Sequence, residues 1–181
     1  MSKLSPSNNI NNLVIIGHMG SGKSTIGWYL AKKLGYSFID TDELIVKKMK
    51  MSISEYFKNY GEKEFRLIEE KTILDLLDKN TKNIIAFGGG AFQSFRVRQS
   101  VKKNAVSIWL KCNLKTLAYR CSRKKNRPLL QDKNIKFVLK ELNKLRADNF
   151  ATANYTFNVS KKTKLKLINE IIDKLNLNEN Y

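Results

Sequence analysis

The chain has one histidine, His18, and two cysteines, Cys112 and Cys121. That is too few nitrogen and sulfur ligands for a zinc cluster. The two cysteines suggest no disulfide framework, so free thiols are expected. No apolar run approaches the ~20 residues of a membrane span, which argues against a membrane partner. The first twelve residues are polar, carry no apolar signal region and are expected to form a loose tail, so the expected location is the cytoplasm. Acidic residues are scarce, 16 against 34 basic ones, for a net charge of +18. Nucleic acid is one partner such a balance suggests. The basic residues are mostly lysine, however, spread over every helix and not interleaved with aromatics. Small anionic substrates suit the same charge, and no nucleic-acid partner is expected.

What is present is a chain of 181 residues, 42% apolar, long enough for one domain with a buried core. The most informative stretch is Gly17-His18-Met19-Gly20-Ser21-Gly22-Lys23-Ser24, which reads G-x-x-x-x-G-K-S. It follows the apolar run Leu13–Ile16, a buried strand, and precedes a helix from Thr25 to Leu34 that Gly35 closes. A phosphate-binding loop requires that strand–loop–helix context. The glycines let successive N–H groups curl around an anion, and the helix N-terminus adds its dipole. Gly20, Ser21, Gly22, Lys23, Ser24 and Thr25 are the expected nucleotide-binding residues. Lys23 reaches the β- and γ-phosphates of ATP, and the Ser24 hydroxyl ligates Mg²⁺.

Beyond the loop, strands alternate with helices. Strands are expected at 36–39, 83–87, 105–110 and 155–159. Helices are expected at 43–49, 53–60 (capped by Ser52 or Ser54 and stopped by Gly61), 62–78, 96–103, 114–123, 135–147 and 165–175. Residues 124–134 are basic and aperiodic and read as a loop. The alternation implies an α/β fold: three layers, with a five-stranded parallel sheet and helices on both faces. No linker or repeat divides it, so residues 1–181 read as a single domain. Ligands of such sheets sit at the carboxyl ends of the strands, and three motifs end there: the phosphate loop, Asp40-Thr41-Asp42 and Gly88-Gly89-Gly90.

Two carboxylates beside a Mg–nucleotide can divide the work. One holds the metal; the other meets an acceptor hydroxyl. Asp42 also fits a plain helix cap. Three consecutive glycines let backbone approach a ligand closely. Arg66 and Glu69 stand three apart on one helix face and are placed to pair. Such a pair can orient Arg66 to grip a carboxylate at two points.

With these motifs in hand, the chain resembles the shikimate kinases over essentially its whole length. The phosphate loop, Asp40-Thr41-Asp42, Phe65-Arg66-Leu67-Ile68-Glu69, Gly88–Gly90, Arg127-Pro128-Leu129 and a late arginine, Arg146, fall in the family's order. The resemblance implies transfer of the ATP γ-phosphate to the 3-hydroxyl of shikimate. It implies Asp42 as base, with Lys23 and Arg127 as its catalytic partners, and Ser24 and Asp40 at Mg²⁺. It places Arg66 and Arg146 on the substrate carboxylate, with Gly88, Gly89 and Gly90 beside the substrate and Phe57 and Phe65 walling its pocket. Arg120 would border the adenine. The substrate-binding region would span about 41–70, and a lid carrying Arg127 about 122–134. Phe150 stands where the family usually has tyrosine, and Asn154 where alanine is common. A gluconate or other small-molecule kinase of the same fold is the nearest alternative. A non-catalytic phosphate-loop protein, or one that binds nucleic acid, is a further one. A monomer is expected.

Overall fold

The structure is a computed structural model that describes residues 12–79, 81–123, 134–160 and 162–177. Five strands, β1 (Asn12–Ile16), β2 (Ser37–Asp40), β3 (Asn83–Ala86), β4 (Val106–Lys111) and β5 (Tyr155–Asn158), form one parallel sheet in the order β2-β3-β1-β4-β5. Among the described residues seven α-helices accompany them: α1 (Lys23–Leu34), α2 (Thr41–Met49), α3 (Ile53–Leu77), α4 (Phe95–Asn104), α5 (Leu114–Ser122), α6 (Ile135–Ala151) and α7 (Lys164–Leu175). The expected three-layer α/β architecture is the observed one.

β1 is buried at every position, as a central strand covered on both faces must be. Alternate side chains serve the two layers. Leu13 and Ile15 pack with Ile26, Leu30 and Leu34 of α1 and with Ile168 and Ile171 of α7. Val14 and Ile16 pack with Ile73 and Leu77 of α3, Val97 and Val101 of α4, and Phe150 of α6. Each such side chain contributes about 1.5–3 kcal/mol by leaving water. A smaller cluster, with Leu117, Cys121 and Leu139, joins α5 to α6.

The helix boundaries follow from their caps. Ser52 starts α3 with a reciprocal capping box to Glu55. At Gly61 (φ 84, ψ 166) the helical path breaks and resumes, so the two helices expected here run on as one kinked element. α2 begins earlier than expected, at Thr41, and its cap is Asp40, which accepts from the N–H groups of Asp42 and Glu43. α6 runs past the expected end at Ala147. Asn149 is held there by Gln93, its Nδ2 donating to Oε1 at 2.6 Å, and the next residue, Phe150, fills the core. No helix among the described residues is long and apolar enough to cross a membrane. Residues 1–11, and residues 124–133 with Arg127-Pro128-Leu129, lie outside the described residues.

Candidate active site

β1, β2 and β3 all end on one rim, and the three sequence motifs meet there. Between β1 and α1 the chain turns through Gly22, whose φ of 100 is a left-handed value that disfavours side chains. No side chain caps α1, so its first-turn N–H groups face the loop as an anion site. Lys23 folds back over the loop, with Nζ donating to the carbonyls of Gly17 (3.0 Å) and His18 (3.2 Å). Ser24 Oγ donates to Asp40 Oδ2 at 2.5 Å, while Asp40 Oδ1 accepts from Asp42 N at 3.0 Å. One carboxylate therefore ties the loop helix to the start of α2. A hydroxyl and a carboxylate side by side at the phosphate end of the loop suit Mg²⁺, which takes few protein ligands and completes its shell with phosphate oxygens and water. From α5, Arg120 reaches the loop and donates to the Gly20 carbonyl at 3.2 Å.

The other half of the site is built on two arginines, Arg66 and Arg146. Arg66 Nη1 donates to Glu69 Oε2 at 2.7 Å, so the expected pair forms. Burial acts to lower the Arg66 pKa, but Glu69 and Glu62 together raise it. Glu69 is buried, and burial raises its pKa against the pull of Arg66. Arg146, buried on α6, donates to the Gly89 carbonyl at 2.9 Å. Its pKa falls to about 10, first because of burial and then because Arg66 is near. Two guanidiniums that repel each other in one pocket make a strong seat for a carboxylate.

None of Gly88, Gly89 and Gly90 has a positive φ, so the turn here, closed by Ala91 N donating to the Gly88 carbonyl at 3.2 Å, does not itself require glycine, and the glycines make room. A β-carbon on Gly88 would lie 2.5 Å from both Asp42 Oδ1 and Glu69 Oε1. The close approach expected here is one the site's own side chains use. Gly88 N donates to the buried hydroxyl of Thr41 at 2.9 Å, fixing the end of β3 to the start of α2. The whole forms a cavity of about 990 Å³ lined by the phosphate loop and by Asp42, Phe57, Phe65, Arg66 and Arg146. Ordinary ligand pockets span ~300–1,000 Å³, so there is room for a nucleotide with a small acceptor beside it.

Some contributors were not read from the sequence. His18 shares a hydrogen bond through Nε2 with Asn143 Oδ1 (3.1 Å), and burial lowers its pKa to about 4. It is thus a neutral tether from the loop to the helix that carries Arg146. Phe150 packs edge-to-face on it at 5.1 Å, a contact that needs no tyrosine hydroxyl. Asn154 Oδ1 accepts from Ser107 N (2.9 Å) and Oγ (2.8 Å), which locks the end of α6 to β4. Both departures from the family pattern therefore have structural work, Phe150 against His18 and Asn154 on the start of β4. Glu62 and Asn143 had no sequence signal beyond being polar positions on helices, and Thr41 none beyond its place inside Asp40-Thr41-Asp42.

Sheet order, loop and metal-ready rim together define a P-loop kinase of small molecules. The family model for shikimate kinase matches residues 19–176. The shikimate kinase of Bartonella henselae is 44% identical over 160 residues, 88% of this chain and 76% of the relative's length. The solved structure of shikimate kinase from Acinetobacter baumannii in complex with shikimate superposes with a TM-score of 0.88 at 31% identity, covering 93% of this chain and 94% of that one. A gluconokinase from Sinorhizobium meliloti 1021 shares the fold alone, with a TM-score of 0.60 at 14% identity over 94% of each chain. The chain belongs to the shikimate kinase family.

Proposed function

We propose that this protein transfers the γ-phosphate of ATP to the 3-hydroxyl of shikimate. The observation that carries the reading is that Arg66 and Arg146 line the same pocket as the phosphate loop and stand close enough for Arg66 to act on the charge of Arg146. That arrangement selects an acceptor with a carboxylate and holds its hydroxyl toward the nucleotide.

The new bond joins the acceptor oxygen to the γ-phosphorus as the bond to the β-phosphate oxygen breaks. Asp42 takes the hydroxyl proton, and ADP leaves. Little covalent chemistry falls to the protein in such a transfer, so the rate comes from alignment and charge neutralisation. Lys23 and the N–H groups at the start of α1 neutralise phosphate charge, and Arg127 adds to this from the segment after α5. Ser24 and Asp40 would hold Mg²⁺, which would supply further positive charge to offset that of the phosphates. Arg120 borders the adenine. Phe57 and Phe65 wall the acceptor side, where the Arg66 guanidinium lies 5.9 Å and 5.3 Å from their ring centres. The protein is taken to act as a monomer. The two substrates are water-soluble metabolites, which supports a cytoplasmic location and no nucleic-acid or membrane partner.

A coupled ADP-release assay with shikimate, gluconate and nucleoside monophosphates side by side tests this. Shikimate should be the preferred acceptor; a higher kcat/KM for either of the others would overturn the assignment.

A further inference from the structure

Arg66 is bonded on two sides, by groups of different character. Nη1 donates to Glu69, while Nε (3.2 Å) and Nη2 (2.7 Å) both donate to Glu62 Oε1. The Glu69 side chain is 2% exposed, that of Arg66 30% and that of Glu62 49%. Glu69 is a fixed buttress. Glu62 approaches from the solvent side and covers the Nε–Nη2 edge, a planar fork with which an arginine grips a carboxylate at two points. Glu62 is also felt at the second arginine. After burial and Arg66, its negative charge is the next influence on Arg146, ahead of that of Glu69. A carboxylate bonded to one arginine of the pair and acting on the other stands where an incoming carboxylate has to go.

The geometry points to Glu62 as an internal stand-in for the substrate carboxylate, which shikimate displaces in order to be held by Arg66 and Arg146. This rests on the reading of those two arginines as the carboxylate seat. Two guanidiniums in one partly buried pocket repel, and a counter-charge beside them relieves the repulsion. The counter-charge must also leave easily. Glu62 directly follows the break at Gly61, where α3 loses its helical path, and a half-exposed ion pair contributes little to stability. Its side chain can therefore swing into water without disturbing the buried Arg66–Glu69 pair. The device sets a threshold for entry. A ligand offering only a carboxylate gains nothing over Glu62, whereas shikimate adds contacts through its hydroxyls.

The test is Glu62→Gln, which keeps the size of the side chain and an oxygen for Nε and Nη2 but removes the charge. Shikimate titrations by calorimetry should show about two- to fivefold tighter binding by the variant, the upper range of a partly exposed ion pair. KM for shikimate should fall by a similar factor, with KM for ATP unchanged. Benzoate, a carboxylate without the hydroxyls, should inhibit the variant competitively and the wild type far less. Glu62→Ala should change shikimate affinity in the same direction. Weaker binding by Glu62→Gln would overturn the proposal, because it would mean that Glu62 positions Arg66 for the substrate instead of holding its place. Unchanged binding would overturn it equally. A wild type that neither binds nor phosphorylates shikimate would instead contradict the assigned function, whatever Glu62 does.

Discussion

Gly90 and the Arg66 guanidinium are in face contact: a β-carbon at Gly90 would lie 2.6 Å from Arg66 Cζ and Nη1 and 2.7 Å from Nη2. The clash would be with the far end of a long side chain, so the fold can absorb it and the guanidinium cannot stay. Gly90→Ala should leave thermal stability within a few degrees of wild type and raise KM for shikimate at least about tenfold, since ~1.4 kcal/mol of lost binding is tenfold. KM for ATP should change little. Steady-state kinetics with each substrate varied decides it; equal shifts in both KM values would mean that the whole rim had moved.

Asp42 lies beside the end of β3, its Oδ1 within 2.5 Å of where a Gly88 β-carbon would be. Asp42→Asn should leave ATP binding intact and lower kcat by about 10²–10⁴, the usual cost of losing a general base. An amide cannot accept the hydroxyl proton. Retention of more than about a tenth of wild-type kcat would show that another group takes it.

The sequence carries some of this site openly and hides the rest. The glycine triplet reads as a place of close approach, but not which side chains approach it, because Asp42, Glu69 and Arg66 come from elements remote in the chain. From the sequence it is Asp42 that fits a helix cap, whereas the fold gives the cap to Asp40 and a bond from Ser24 to the same group, which leaves the Asp42 carboxylate out of the cap. The break at Gly61 was legible, since glycine after an amphipathic run is a stop signal. Glu62 was not, because Glu-Lys-Glu at 62–64 reads as a solvated helix face. The end of α6 was misplaced because Asp148 and Asn149 interrupt the apolar period, while the contact that holds them in the helix is tertiary. The phosphate loop was the easiest element, since its backbone conformation, its charge and its flanking strand and helix all agree locally.

His18 gives a pH dependence of stability. Its pKa is about 4 in the folded protein, against 6.5 for the free side chain. The unfolded chain therefore takes up a proton from about pH 6.5 downward, while the folded protein does so only near pH 4. The contribution is fully present above pH 6.5 and is lost as pH falls toward 4. Between pH 7 and pH 5 it amounts to about 2 kcal/mol. Denaturant unfolding at the two pH values should show that loss in the wild type and a smaller one in His18→Gln; equal losses would place His18 in contact with water.

The account stands most directly on the product of the reaction. The protein should be incubated with ATP, Mg²⁺ and shikimate and the product examined by carbon and phosphorus NMR. Splitting of the carbon-3 resonance by a single phosphorus, with one ADP formed per ester, is the predicted result. A phosphate on another hydroxyl, or ADP release without any ester, would contradict it.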